Sequence, residues 1–154
     1  MSLSSSQRRK GVQTFVLPYV PIAFEERKEL APAVEARLSW GSRHWQGWML
    51  LDTGATFSVL PSSVAEELGL KLSSRPLKRT VVGGSVPARE SEVRFQLATK
   101  DRLGRPGQSL PMVPIQVTER GQDTPVPLLG RHPFLDWYEV TVRQPRKEFV
   151  LREI

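Results

Sequence analysis

Asp52, Thr53, Gly54 and Ala55 follow directly on an apolar run, Trp48-Met49-Leu50-Leu51. A carboxylate at the end of a buried strand is costly unless it is paired or used. Placed there, a carboxyl group can take or give a proton in a reaction. Thr53 adds a hydroxyl able to bond backbone across an interface. Gly54 lets the chain turn sharply and lets another group approach closely. Alone, the triplet is a weak signal, because an aspartate at a strand end also closes an ordinary Asx turn.

Other chemistries find less support. The chain has no cysteine, which removes disulfides, thiol nucleophiles and cysteine-bearing zinc sites. His44 and His132 are the only histidines, and their neighbours offer no metal set. They read as surface or structural residues, and no metal or cofactor is expected. Gly83-Gly84 is not followed by Gly-Lys-Ser/Thr, so it is not a phosphate loop of that kind. Trp40, Trp45 and Trp48 stand near Arg37 and Arg43. Such a set could stack bases, but tryptophans more often pack hairpins or interfaces. The formal charge is +6, part of it in Arg8-Arg9-Lys10 and in Arg143, Arg146 and Lys147. No nucleic-acid-binding motif accompanies that charge, so a solvated surface is the simpler reading and nucleic acid is not an expected partner.

The elements that must position Asp52 read as strands. Ala33–Trp40 alternates Val34, Ala36 and Leu38 against Glu35, Arg37 and Ser39, the period of a half-buried strand. Gly41-Ser42 supplies a turn, and residues 45–51 form the returning strand. Residues 61–68 read as a short helix ended by Gly69. Residues 80–86 place Gly83-Gly84 at a hairpin tip. Residues 92–98 alternate again, and residues 110–117, with two prolines, read as an edge strand. Residues 139–142 and 148–151 make a last hairpin. Residues 14–24 suit an edge strand or an extended arm, and residues 25–30 a turn or a short helical piece. The length of 154 residues suits one domain with its own core. We read residues 1–13 as a disordered basic tail and residues 14–154 as that domain. No stretch is apolar enough for a membrane-spanning helix. Pro18 and Pro21 break the only candidate leader, so a cytoplasmic location is expected.

The motif around Asp52 continues Ala55-Thr56-Phe57-Ser58-Val59-Leu60. Far downstream stands Thr124-Pro125-Val126-Pro127-Leu128-Leu129-Gly130-Arg131. Taken in order with the Gly-rich stretch, the sequence resembles the retropepsins, the single-domain aspartic proteases of retroviruses and their cellular relatives. That family carries two apolar residues before Asp-Thr/Ser-Gly-Ala, then a Gly-rich flap. A second motif of two apolar residues and glycine follows, often with an arginine after it. The resemblance covers most of the chain.

What the resemblance implies is specific. The fold would be all-β, a retropepsin-like acid-protease half-barrel with one or two short helices, active as a homodimer. The chain would be an aspartic endopeptidase acting on an extended polypeptide. Asp52, Thr53 and Gly54 would form the catalytic set. Ala55, Val82, Gly83, Gly84, Val126 and Leu128 would line the substrate groove, although Ala55, Val82, Val126 and Leu128 read from residue type alone would be core. The chemistry needs two carboxylates sharing a proton. With one Asp-Thr-Gly in the chain, the second carboxylate would be Asp52 of an identical subunit. The alternative is a catalytically silent dimerisation or peptide-binding module of the same fold. The long extension past Gly130 is closer to cellular or bacterial members and places the C-terminal hairpin in the expected dimer interface. Thr56 stands where the retroviral pattern has an aspartate, so Arg131 is expected to lack that partner.

Overall fold

Alternating burial builds the barrel that ends at Asp52. The computed structural model describes residues 12–24, 27–81, 84–119, 121 and 126–154. The basic tail Arg8-Arg9-Lys10, Val82 and Gly83 of the hairpin tip, and Thr124-Pro125 lie outside the described residues. Strand β4 (Ala33–Trp40) turns its even-numbered residues Val34, Ala36 and Leu38 into the core. It pairs antiparallel with β5 (Arg43–Leu51), so that Ala33 lies opposite Leu50 and Trp40 opposite Arg43. Gly41 at φ 57° makes the turn between them, a conformation glycine adopts without penalty. Strand β6 (Val59–Leu60) follows, then helix α1 (Ser62–Leu68), which buries Val64, Ala65 and Leu68 and stops at left-handed Gly69. Strands β7 (Leu77–Val81) and β8 (Gly84–Leu97) form a hairpin paired out to Val81 opposite Gly84.

Strand β9 (Ser109–Thr118) is not the edge strand that its prolines led us to expect. It pairs antiparallel with β8 and, at Gln116 and Val117, parallel with β6. The prolines are tolerated for local reasons. Pro111 falls in a bulge, where the register passes from Val93 opposite Val113 to Phe95 opposite Leu110. Pro114 lies where β9 has β8 as its only strand partner among the described residues. Strand β10 (Leu128–Leu129) is short and sits between β5 and β6. The sheet therefore runs β4-β5-β10-β6-β9-β8-β7, and a further pairing of β4 with β8 closes it on itself. Closure leaves β7 as the projecting strand.

Two smaller pieces complete the domain. Strand β1 (Thr14–Pro18) pairs with β12 (Glu148–Glu153), which also pairs with β11 (Tyr138–Arg143). Strand β12 is thus the centre of this terminal sheet, and its Phe149 and Leu151 are fully buried. Strands β2 (Val20–Phe24) and β3 (Arg27–Ala31) form a two-stranded ribbon. We expected a turn or helical piece at β3. It is a strand because β2 offers an edge, even though four of its five residues are exposed. Phe134 stacks on Tyr138 with centroids 5.0 Å apart, and edge contacts from Phe95 and Phe15 tie barrel to terminal sheet. Gln13 is also fully buried, bonding Asp101 and the Pro106 carbonyl at 3.1 and 2.8 Å. The all-β expectation holds, with α1 as the α-helix among the described residues. Among the described residues no helix is long and apolar enough to cross a membrane.

Candidate active site

Two distant segments meet at the end of β5. Strand β10 pairs parallel with β5, setting Leu128 beside Leu50 and Leu129 beside Leu51. Parallel neighbours cannot come from a tight turn, and here the whole β6–β9 excursion separates them. The Leu50 amide donates to the Pro127 carbonyl at 2.8 Å, and the Asp52 amide to the Leu129 carbonyl at 2.9 Å. Asp52 is thereby fixed where the strand ends, half-buried, with Thr53 and Gly54 exposed beyond it.

The loop closes on its own carboxylate. The Gly54 amide donates to Asp52 Oδ1 at 2.9 Å, and the Ala55 amide to the Asp52 carbonyl at 3.1 Å. A Cβ at position 54 would stand 3.2 Å from that same Oδ1, so glycine is what lets the amide come so near. An N–H bonded to a carboxylate oxygen fixes the orientation of the carboxylate.

The second motif braces the loop from behind. The Arg131 amide donates to the Ala55 carbonyl and the His132 amide to the Thr56 carbonyl, both at 2.8 Å. Gly130 packs so close that a Cβ there would lie 2.8 Å from the Ala55 oxygen and nearer still to the Phe57 backbone. Ser58, buried, accepts from the Gly130 amide at 3.1 Å and donates its hydroxyl to the His132 carbonyl at 3.2 Å. Arg131 has a partner after all, since its Nη2 donates to Thr56 Oγ1 at 3.0 Å. The expectation that it would stand without the retroviral carboxylate is met, but a hydroxyl takes the place.

The remaining sequence candidates fall into different settings. Ala55 is half-buried beside Asp52. Leu128 is buried in β10, while Val126 is half-buried against the small cluster of Ile22, Ala31 and Ala33. Gly84 opens β8, while Val82 and Gly83 lie outside the described residues. Among the described residues no group of three or more metal-ligating side chains forms. His132 is exposed, bonds Asp136 Oδ2 at 2.9 Å and packs on Phe57. His44 is exposed on β5.

Sequence reading missed two residues here. Ser58 was legible as a polar residue inside the run Phe57-Ser58-Val59-Leu60. Arg79 of β7 gave no signal. Burial holds its guanidinium below the ordinary arginine value, while the charge of Asp52 pushes it back up. The projecting hairpin therefore carries a cation within electrostatic reach of Asp52.

Residues 35–132 match the family described as Aspartyl protease. Among solved structures, a retropepsin-like aspartic protease from Rickettsia conorii is similar at 14% identity, over 93% of this chain and 92% of that one, with a TM-score of 0.58. EIAV protease in complex with an inhibitor is 24% identical over 75% of this chain and 93% of that one, with a TM-score of 0.47. Comparison with curated protein sequences gives no match.

Proposed function

This chain belongs to the aspartyl protease family, and on that premise we propose that it is an aspartic endopeptidase whose dyad is Asp52 from each of two identical subunits. The observation that carries this reading is the setting of Asp52, held by β10 at a strand end with one oxygen bonded by Gly54. The sequence has a single Asp-Thr-Gly. Two carboxyl groups brought together cannot both ionise readily, so they share a proton.

The ionised member takes a proton from water, and the water oxygen attacks the scissile carbonyl carbon. The protonated member donates to the carbonyl oxygen as the carbon becomes tetrahedral. On collapse the C–N bond breaks, the leaving nitrogen takes the proton drawn from water, and the former carbonyl oxygen returns its proton to the carboxylate that gave it. Thr53, exposed at the loop, locks one subunit's loop to the other in this reading. Gly54 and Ala55 offer backbone to an extended peptide. The β7–β8 hairpin, described as far as Val81 opposite Gly84, acts as the flap that closes over it. Val126 and Leu128 border the side-chain pockets.

Subunit mixing tests the dyad. Asp52→Asn abolishes cleavage of a peptide library while leaving thermal unfolding unchanged. Mixed in equal amounts with wild type at constant total protein, it leaves about one quarter of the original rate, because only wild-type pairs carry both carboxylates. Half the original rate would mean that each chain acts alone. Cleavage by the pure variant at the wild-type rate would remove Asp52 from the chemistry.

A further inference from the structure

At the far end of β5 from Asp52, the outward face of β4, β5 and β8 gathers positive charge. Register sets Arg37 between Gln46 and Gln96, and in the next row Ser39 between His44 and Arg94. Ser109 lies opposite Gln96 on the fourth strand. With Gly41 and Ser42 of the turn and Arg43 at the start of β5, these residues line a cleft of about 300 Å³. The lining has three arginines and a histidine and no carboxylate. Among the described residues none of these arginines belongs to an ion pair. Arg94 donates to Ser109 Oγ at 3.4 Å, a long bond. Arg43 rests against Gly69 at the C-terminal end of α1, where a cation is favoured. Glu35, on the same face of β4, is outside the cleft and accepts from Gln46 at 2.7 Å.

Gathered like charges repel, and the fold does not need them here. The strands beneath are held by Ala36, Leu38, Phe95 and Leu97 on the core face. An anion in the cleft would turn repulsion into attraction. Guanidinium groups offer paired donors that match a tetrahedral oxyanion. Ser39, Ser42 and Ser109 add hydroxyl donors. At about 300 Å³ the cleft is the size of a small molecule, not a track for a strand. A single-stranded nucleic acid needs successive aromatic platforms, and this face of β5 exposes one, Trp48.

We propose that this cleft binds a phosphate group, free or as the monoester of a small molecule, with Arg37 and Arg94 as its main ligands. The site is separate from Asp52 and stands whether or not the peptidase reading does.

The test is an NMR titration of the isotope-labelled chain with inorganic phosphate at constant ionic strength, and in parallel with phenyl phosphate. Saturable shifts confined to residues 37–44, 94–96 and 109 are expected. Arg37→Gln combined with Arg94→Gln weakens binding by about tenfold or more, while Arg143→Gln, on the other hairpin, leaves it unchanged. Both positions are exposed, and thermal unfolding checks that the double variant folds. Tighter binding of phenyl phosphate identifies a monoester as the occupant, and the reverse identifies the free anion. Shifts that never saturate, or that persist in the double variant, overturn the proposal. So does binding of a single-stranded oligonucleotide on this face, lost in Trp48→Ala, where phosphate alone gives no shift.

Discussion

Arg131 reaches across to the side chain of Thr56, its Nη2 donating to Oγ1 at 3.0 Å. The bond links the residue after the second glycine to the loop that carries Asp52, at an exposed position. Thr56→Val removes the acceptor and costs about 0.5–1 kcal/mol. Thr56→Asp supplies a carboxylate instead and gains at most about 1 kcal/mol, because the pair is open to solvent. Denaturant midpoints of both variants, each repeated on an Arg131→Met background, isolate the coupling. No coupling in that cycle would make the contact incidental.

Gly130 gives a sharper expectation. A methyl group there collides with backbone, not with a movable side chain. Gly130→Ala should destabilise the domain by about 1–3 kcal/mol, as overpacked sites do. Because the backbone that must yield is that of Ala55 and Phe57, peptide cleavage should fall further than stability alone explains. Urea unfolding alongside initial rates on a peptide substrate separates the two. A variant as stable and active as wild type would mean that the loop yields without strain.

Asp101 predicts the acid limb of stability. Burial pushes its carboxyl up, but amide donors from Arg105 and Leu103 and side chains from Gln13 and Arg105 outweigh that and hold it at about 2. Its folded value is depressed, so the stabilisation is present in full above the unfolded value near 3.8 and is lost as pH falls through about 2. Asp101→Asn should melt at a lower temperature than wild type at neutral pH, with the gap closing toward pH 2. Thermal unfolding at several pH values decides it. A gap that stays constant down to that pH would assign the loss to packing.

What the sequence made legible follows from short-range physics. The alternation of Val34, Ala36 and Leu38 announced β4, and Gly69 announced the end of α1. Asp52 to Ala55 stood out because a carboxylate and a glycine ended an apolar run. Long-range placement was not legible. Nothing in Leu128-Leu129 says that it inserts between β5 and β6. Nothing in the charged run of β3 says that β2 will lend it an edge. Pro111 argued for an edge strand, because a bulge opposite Arg94 cannot be seen from one strand alone. The arginine-lined cleft was hidden for the same reason, its arginines being brought together only by the register of three strands.

The C-terminal hairpin, expected at the dimer interface, also holds its own chain together: Phe149 and Leu151 are core residues, and β12 joins β1 to β11. Thr14 therefore waits for Arg152, its partner across nearly the whole domain. During synthesis β1 leaves the ribosome early and has nothing to pair with until β12 follows. Contacts of such long range form slowly. The terminal sheet is thus a clock on maturation. It closes only after residue 153 has emerged, because Glu153 pairs with Tyr138 at the end of β12.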